Sequence, residues 1–455
     1  MLDTRPQIFF PTWLTYIQCI CFSTLYGIWI LPETILIRHI CLIAGALVSL
    51  WIIYADRRVF FSRRAWPIWI LISLFLWVIF HLLFLGGNPA LQWYELTTIW
   101  KRVFIGFIFA LGFGLAITNP SLDLRTKKTL WWIVYLGFCM PTLIYLVKWV
   151  SMYLMNHFQL MVPEYLQLYG SSAKFYIHKS SYVFFCLPVL AISVGRLRNL
   201  FITKQSFSKE AGIYILMTAL VLFNFIVEKD RNGELYAFML ITFAYLSIYL
   251  VGFKAFSKKK LSLIFGSLLI VGSTFFFLFS SNPQWQTFIS DSEIALQVDK
   301  YDNWKFAQIV GQPLNAKGEP LVGSNYERIS WLIVGSRLMM ENPLGYGLVE
   351  QSFGHLGRQK WPNAILSQSH SGWIDWTLGM GFPGTLLILF ASLLSWHQSR
   401  QVEQPWDSIG RWGIFSILLL YCTTEVSQRV YIDAFIFCIA WVASMSLLPK
   451  QKWSQ

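Results

Sequence analysis

Apolar runs of membrane-spanning length dominate the chain, and short polar clusters divide them. A helix needs roughly 20 apolar residues to cross the hydrocarbon core. Runs near that size occur at Trp13–Leu31, Ile35–Ala55, Trp66–Leu85, Val103–Thr118, Leu130–Tyr153, Ser181–Gly195, Gly212–Val227, Leu235–Gly252 and Leu261–Phe279. A long gap, Ser281–Ser369, separates them from Gly372–Trp396, Trp412–Thr424 and Ile432–Leu448. The pattern predicts an all-α polytopic membrane protein with about twelve transmembrane helices and one large loop.

The polar clusters orient these spans. Arg57, Arg58, Arg63 and Arg64 follow the second run, and Arg125, Lys127 and Lys128 the fourth. Arg196, Arg198, Lys204 and Lys209 follow the sixth, and Lys254 with Lys258, Lys259 and Lys260 the eighth. Basic loops favour the cytoplasmic side, so both termini are expected there. The segment 151–180, the turn 228–234 and the large loop 281–369 then fall on the opposite side. A loop longer than about fifteen residues is usually functional or disordered. Trp285, Trp304, Tyr326, Trp331 and Trp361 are enough to build a small core in the large one. Helical spacing over Tyr326–Met340 puts Ile329, Leu332, Ile333 and Leu338 on one side, and Asn342-Pro343 ends that helix.

Composition agrees. Of 455 residues 56% are hydrophobic and 13% charged, against roughly 25% charged in soluble domains. The net charge of +13 is assigned to loops that meet anionic lipid, and no nucleic-acid-binding motif is present. The seven cysteines lie in apolar runs and are read as packing residues, not a disulfide or zinc framework. The first apolar run lacks a basic leader and a small-residue cleavage site, so it is read as a span.

Candidate chemistry sits where polar residues meet the far membrane surface, because a charge near the bilayer is costly unless paired or used. The turn Glu228-Lys229-Asp230-Arg231-Asn232-Gly233-Glu234 is one such place. It reads either as a solvated turn with internal salt bridges or as a mount for Arg231 on an anion. Arg328 and Arg337 lie about two and a half turns apart, on opposite faces of the loop helix, so they cannot both face one site. His370-Ser371 stands where the large loop returns to the membrane, followed by Gly372, Gly379, Gly381, Pro383 and Gly384. A lone histidine there is either a hydrogen-bonded structural residue or a catalyst. The glycines permit close helix approach or a backbone bent around a ligand, and Gly381-Phe382-Pro383-Gly384 predicts a kink. No P-loop, dinucleotide fingerprint or HExxH is present, and Asp375 makes a poor metal pair with His370. No metal or cofactor is expected.

Two motifs resemble the O-antigen ligase family, within the O-antigen ligase/polymerase superfamily. Arg231-Asn232-Gly233-Glu234-Leu235 is similar to its Arg-x3-Leu signature. His370-Ser371, nine residues, then Gly381-Phe382-Pro383-Gly384 is similar to its His-[Asn/Ser/Gln]-x9-Gly-x-x-Gly signature. A softer likeness runs from Arg328-Ile329-Ser330-Trp331 to Pro343-Leu344-Gly345-Tyr346-Gly347. The resemblance implies a GT-C-like fold in a bacterial inner membrane with a periplasmic active site. It implies metal-independent, inverting transfer of a glycan from undecaprenyl pyrophosphate to a lipid A–core hydroxyl. On that reading Arg231 and Arg328 bind pyrophosphate, with Arg337, His178 and Lys179 as further candidates. His370 accepts or orients the acceptor hydroxyl. Arginine suits the task because its planar fork matches phosphate oxygens and stays charged. An O-antigen polymerase and a protein O-oligosaccharyltransferase are the alternatives within the superfamily. A lipid-linked sugar transporter is the alternative outside it, disfavoured by the lack of symmetric halves.

Overall fold

The computed structural model describes residues 11–448 apart from 169–174, 204–207, 316, 424–428 and, a few positions excepted, 253–286. Among the described residues it is all-helical, with no strand beyond an isolated bridge between Leu314 and Pro320. Seven helical segments among the described residues are long and apolar enough to cross a membrane.

The bundle begins with α1 (Thr12–Trp29), α2 (Ile35–Ala55), α3 (Trp66–Phe80), α4 (Pro89–Glu95), α5 (Lys101–Ile117), α6 (Leu124–Phe158), α7 (Lys179–Ile202), α8 (Lys209–Glu228) and α9 (Arg231–Gly252). The large loop holds α10 (Phe288–Ala295), α11 (Asn303–Val310), α12 (Gly323–Glu341) and α13 (Ser352–Lys360). The chain closes with α14 (Gly372–Gln398), α15 (Ile414–Leu420) and α16 (Arg429–Met445). The ninth expected span, Leu261–Phe279, falls mostly outside the described residues.

Helix α2 shows the membrane logic. It buries Cys41, Leu42, Ala46 and Ile52 against its neighbours. On the opposite stripe Leu36, Ile40, Ile43, Leu47 and Leu50 are apolar and exposed. Water does not tolerate such a stripe at that length, whereas lipid does. Helix α7 is the reverse case, a central helix enclosed by α6, α8 and α9.

Several spans outrun their apolar cores. Helix α7 was expected over Ser181–Gly195 but continues to Ile202, because Arg196 pairs with Glu210 at 2.8 Å and its guanidinium lies over the Trp131 ring. The fourth was expected from Val103, yet one helical run extends from Pro89 to Ile117 through a π turn at Leu96–Trp100. Its first half carries Gln92 and Glu95, which end an apolar window without ending a helix. Asp123 caps α6 ahead of the expected start, accepting from the Thr126 N–H at 3.4 Å.

The large loop has its own core of Val298, Trp304, Leu321, Tyr326, Val334 and Phe353, into which Ile374 and Leu378 of α14 insert. The loop is therefore packed onto the bundle. Trp361 meets Trp304 edge-on at 4.9 Å; Trp285 lies outside the described residues. The expected loop helix is α12, but its buried face is Tyr326, Ser330, Val334 and Leu338, while Leu332 is exposed.

Candidate functional site

The polar turn between α8 and α9 is built by local backbone rules. Lys229, at φ 50°, closes α8 in the left-handed conformation. Asp230 then starts α9, its Oδ1 accepting from the Asn232 N–H at 3.1 Å and the Gly233 N–H at 3.3 Å. Gly233 lets the helices close, since a Cβ there would meet the Phe225 ring at 2.7 Å. The consequence is that Arg231 sits on the first turn of α9, facing the loop domain.

Two arginines lace α9 to α12. Arg231 donates to Asn325 Oδ1 at 2.7 Å and to Ser324 Oγ at 2.8 Å. Arg328, one turn along α12, donates back to Asn232 Oδ1 at 3.3 Å. Asn325 passes its other amide bond to Asp291 Oδ2 at 2.8 Å, and Thr287 Oγ1 donates to the same oxygen. Asp291 is buried, so the Arg231 charge is balanced through an amide by an acid on α10. Arg328 has only the neutral Asn232 as a partner among the described residues. Both guanidiniums are half-buried and close enough for each to act on the other's charge. Two like charges held together at a protein edge favour an anion between them.

His370 reaches the same face of α12. Its backbone adopts φ 59°, and its ring stacks on Trp331 at 5.2 Å with planes 19° apart. Trp331 is fixed by donating to the Trp304 carbonyl at 3.0 Å. Trp331 follows Arg328 by one turn of α12, so the ring on which His370 stacks belongs to the same stretch of helix as Arg328. Behind it, Asp375 Oδ1 accepts from the Ser369 N–H at 2.9 Å, so this carboxylate pins the loop return.

The other candidates lie apart from this seam. Arg337 points the opposite way into a forked ion pair with Asp299, at 2.6 and 2.9 Å, and that pair holds the exposed Asp299 carboxyl below its usual range. Lys179 reaches the end of α8, at 3.0 Å from the Glu228 carbonyl and 3.4 Å from its carboxylate. Tyr145 donates to the other carboxylate oxygen at 2.9 Å. His178 shares a 3.1 Å hydrogen bond with Ser180. Two residues of the turn 228–234 are thus tied to elements outside it, Glu228 to α7 and Arg231 to α12.

The glycine motif has a different role. Helix α14 kinks at Gly381 (φ 67°), and the bend receives the turn Pro343–Gly347 rather than a ligand. The Tyr346 and Gly347 N–H groups donate to the Leu378 and Gly379 carbonyls at 2.8 and 2.7 Å, and the Phe382 N–H to the Pro343 carbonyl at 2.9 Å. A Cβ on Gly381 would lie 2.4 Å from the Leu344 carbonyl carbon. Buried side chains of the α3–α5 stretch grip the turn from beneath. His81 Nε2 is 3.1 Å from the Leu344 carbonyl, Gln92 donates to the Tyr346 carbonyl at 3.0 Å, and Glu95 accepts the Val349 and Glu350 N–H groups at 2.7 and 2.8 Å.

No protein-family model matches the chain, and no curated protein matches it. Among the described residues no three His, Cys, Asp or Glu side chains gather into a metal-binding group. An apolar groove of about 340 Å³ at this end is lined by Leu31, Met140, Val147, Lys148, Tyr165 and Phe175; neither arginine nor His370 borders it. Ser324, Asn325 and Asp291, not named from sequence, complete the seam with Asn232 and Trp331, which were named there only as motif and core residues. Ser324-Asn325 one turn before Arg328 was a usable signal, as was an acid at Glu95 inside an apolar helix. Asp291 carried none.

Proposed function

We propose that the protein is a membrane-embedded glycosyltransferase that moves a glycan from a polyprenyl-pyrophosphate carrier to a sugar hydroxyl. The observation that carries this reading is the α9–α12 seam, where Arg231 and Arg328 reach across to each other's helix and His370 stacks on Trp331, one turn after Arg328. The acceptor O–H attacks the anomeric carbon, its proton passing to or toward the His370 imidazole. The carbon–oxygen bond to pyrophosphate breaks, and the electron pair leaves with the phosphate. The guanidiniums stabilise that developing charge, each hydrogen bond to a charged group contributing about 1.5–3 kcal/mol. Arg328 is the less tied of the two, with a single 3.3 Å hydrogen bond where Arg231 makes two shorter ones. In this reading the chain crosses a bacterial inner membrane about twelve times, with the basic loops and both termini cytoplasmic. The seam then faces the periplasm, the reaction needs no metal or cofactor, and the acceptor is lipid A–core.

The test is transfer in detergent with undecaprenyl-pyrophosphate glycan, rough lipopolysaccharide and EDTA. The lipopolysaccharide should shift in size with wild type and not with His370→Ala, Arg231→Ala or Arg328→Ala. Lengthening of the carrier-linked glycan instead would make the protein a polymerase using the same seam. No transfer to either acceptor by folded protein would sink the reading.

A further inference from the structure

The opposite end of the bundle holds a second pair of arginines, Arg198 and Arg411, which line one recess. Helix α9 runs from Arg231 to this end, where Arg198 of α7 donates through Nε to Ser247 Oγ and through Nη2 to the Ser247 carbonyl. Arg198 Nη1 also donates to Asn199 Oδ1 at 3.1 Å. Beside it a cavity of about 270 Å³ is lined by Arg198, Asn199, Ile202, Thr203, Gln404 and Arg411. Arg198 is buried, with 7% of its surface exposed, and Arg411, on the π turn Ile409–Gly413, is half-buried.

Two neighbouring cations at this end are neutralised. Lys127 pairs with Glu403 at 2.7 Å and Arg196 with Glu210 at 2.8 Å. Among the described residues no carboxylate forms an ion pair with Arg198 or Arg411. Asp407 lies within electrostatic reach of Arg198, but its carboxylate contacts Ser408 Oγ. In sequence the stretches 204–207 and 253–260, after α7 and α9, contain Lys204, Lys254 and Lys258–Lys260 and no acid. Arg198 is already oriented by Ser247 and Asn199, so it presents a fixed fork rather than a searching side chain. A guanidinium fixed by amide and hydroxyl neighbours, with a second arginine lining the same recess, matches a phosphate oxygen cluster. Basic pockets between membrane helices on the side bearing basic loops are suited to anionic headgroups.

We propose that this cavity binds a phosphate-bearing anion, supplied either by the headgroup of an acidic phospholipid or by soluble phosphate. Arg198 and Arg411 supply the charge, and Asn199, Thr203 and Gln404 the polar rim. The proposal does not rest on the glycosyl-transfer reading, because it concerns the other end of the bundle.

The test uses the full chain, delipidated in neutral detergent, with native mass spectrometry as the readout. Phosphatidylglycerol, phosphatidylcholine and inorganic phosphate are titrated separately. Wild type should retain phosphatidylglycerol about tenfold better than phosphatidylcholine, or, if the source is soluble, bind inorganic phosphate with no lipid preference. In either case Arg411→Gln should weaken binding about tenfold or more and Arg411→Lys less. Gln404→Ala, a change on an exposed loop side chain that leaves the helices intact, should weaken it several-fold. Arg400→Gln removes an exposed charge at the same end, stacked on Trp396 outside the cavity, and should change nothing. Equal binding by wild type and Arg411→Gln for every probe, or equal loss in Arg400→Gln, would overturn the proposal.

Discussion

The α9–α12 seam and the Gly381 bend both joined large loop to membrane bundle, and both stood out in the sequence as candidate chemistry. Their physics is opposite. At the seam, long charged side chains cross between helices, are half-buried, and are answered mostly by neutral amides and hydroxyls. At the bend, backbone meets backbone, and the buried His81, Gln92 and Glu95 lock the turn from below. The first arrangement leaves charge in reach of a ligand, whereas the second leaves no room for one. A motif with glycines at fixed spacing was therefore a docking surface, and the chemistry belonged to the side chains next to it.

Substitutions should separate the two regions by which readout fails. The largest effect is expected at His370→Ala, which should cut transfer by about 10²–10⁴-fold while the thermal unfolding midpoint in detergent stays near wild type. Loss of folded protein instead would make His370 a structural residue stacked on Trp331. Gly381→Ala should behave in the reverse way. Its positive φ and the Leu344 backbone beside it imply at least about 1–3 kcal/mol of strain, read as a lowered midpoint with activity falling in step. Glu95→Ala strands the Val349 and Glu350 N–H groups at about 1–3 kcal/mol. Hydrogen exchange across 343–350 should speed up while exchange at 324–331 is unaffected. The smallest effect is expected at Arg337→Ala. Its forked pair with Asp299 is exposed to water, where such pairs contribute little, so transfer and midpoint should both match wild type. A loss of transfer there would move Arg337 back into the anion site.

Much of this protein was legible in one dimension. Run length and loop charge are local quantities, and they predicted a helical membrane bundle and a single large loop. Helical periodicity separated Arg328 from Arg337 before any coordinates, because nine residues along a helix reverse its face. What the apolar runs misjudged was length, since α7 and the Pro89–Ile117 run carry on through charges whose partners are distant in sequence. Glu210 answers Arg196, and the backbone of 349–350 answers Glu95. The buried face of α12 was misread for the same reason, because Ile374 and Leu378 of α14, from outside the loop, insert into the loop's core. Only the tertiary fold decided that Arg231 and Arg328 point at each other's helices, that Asp291 balances one of them, and that the glycines cradle a turn. Those facts depend on which segments meet across long stretches of chain. Period and composition carry no record of that, because they describe each helix alone.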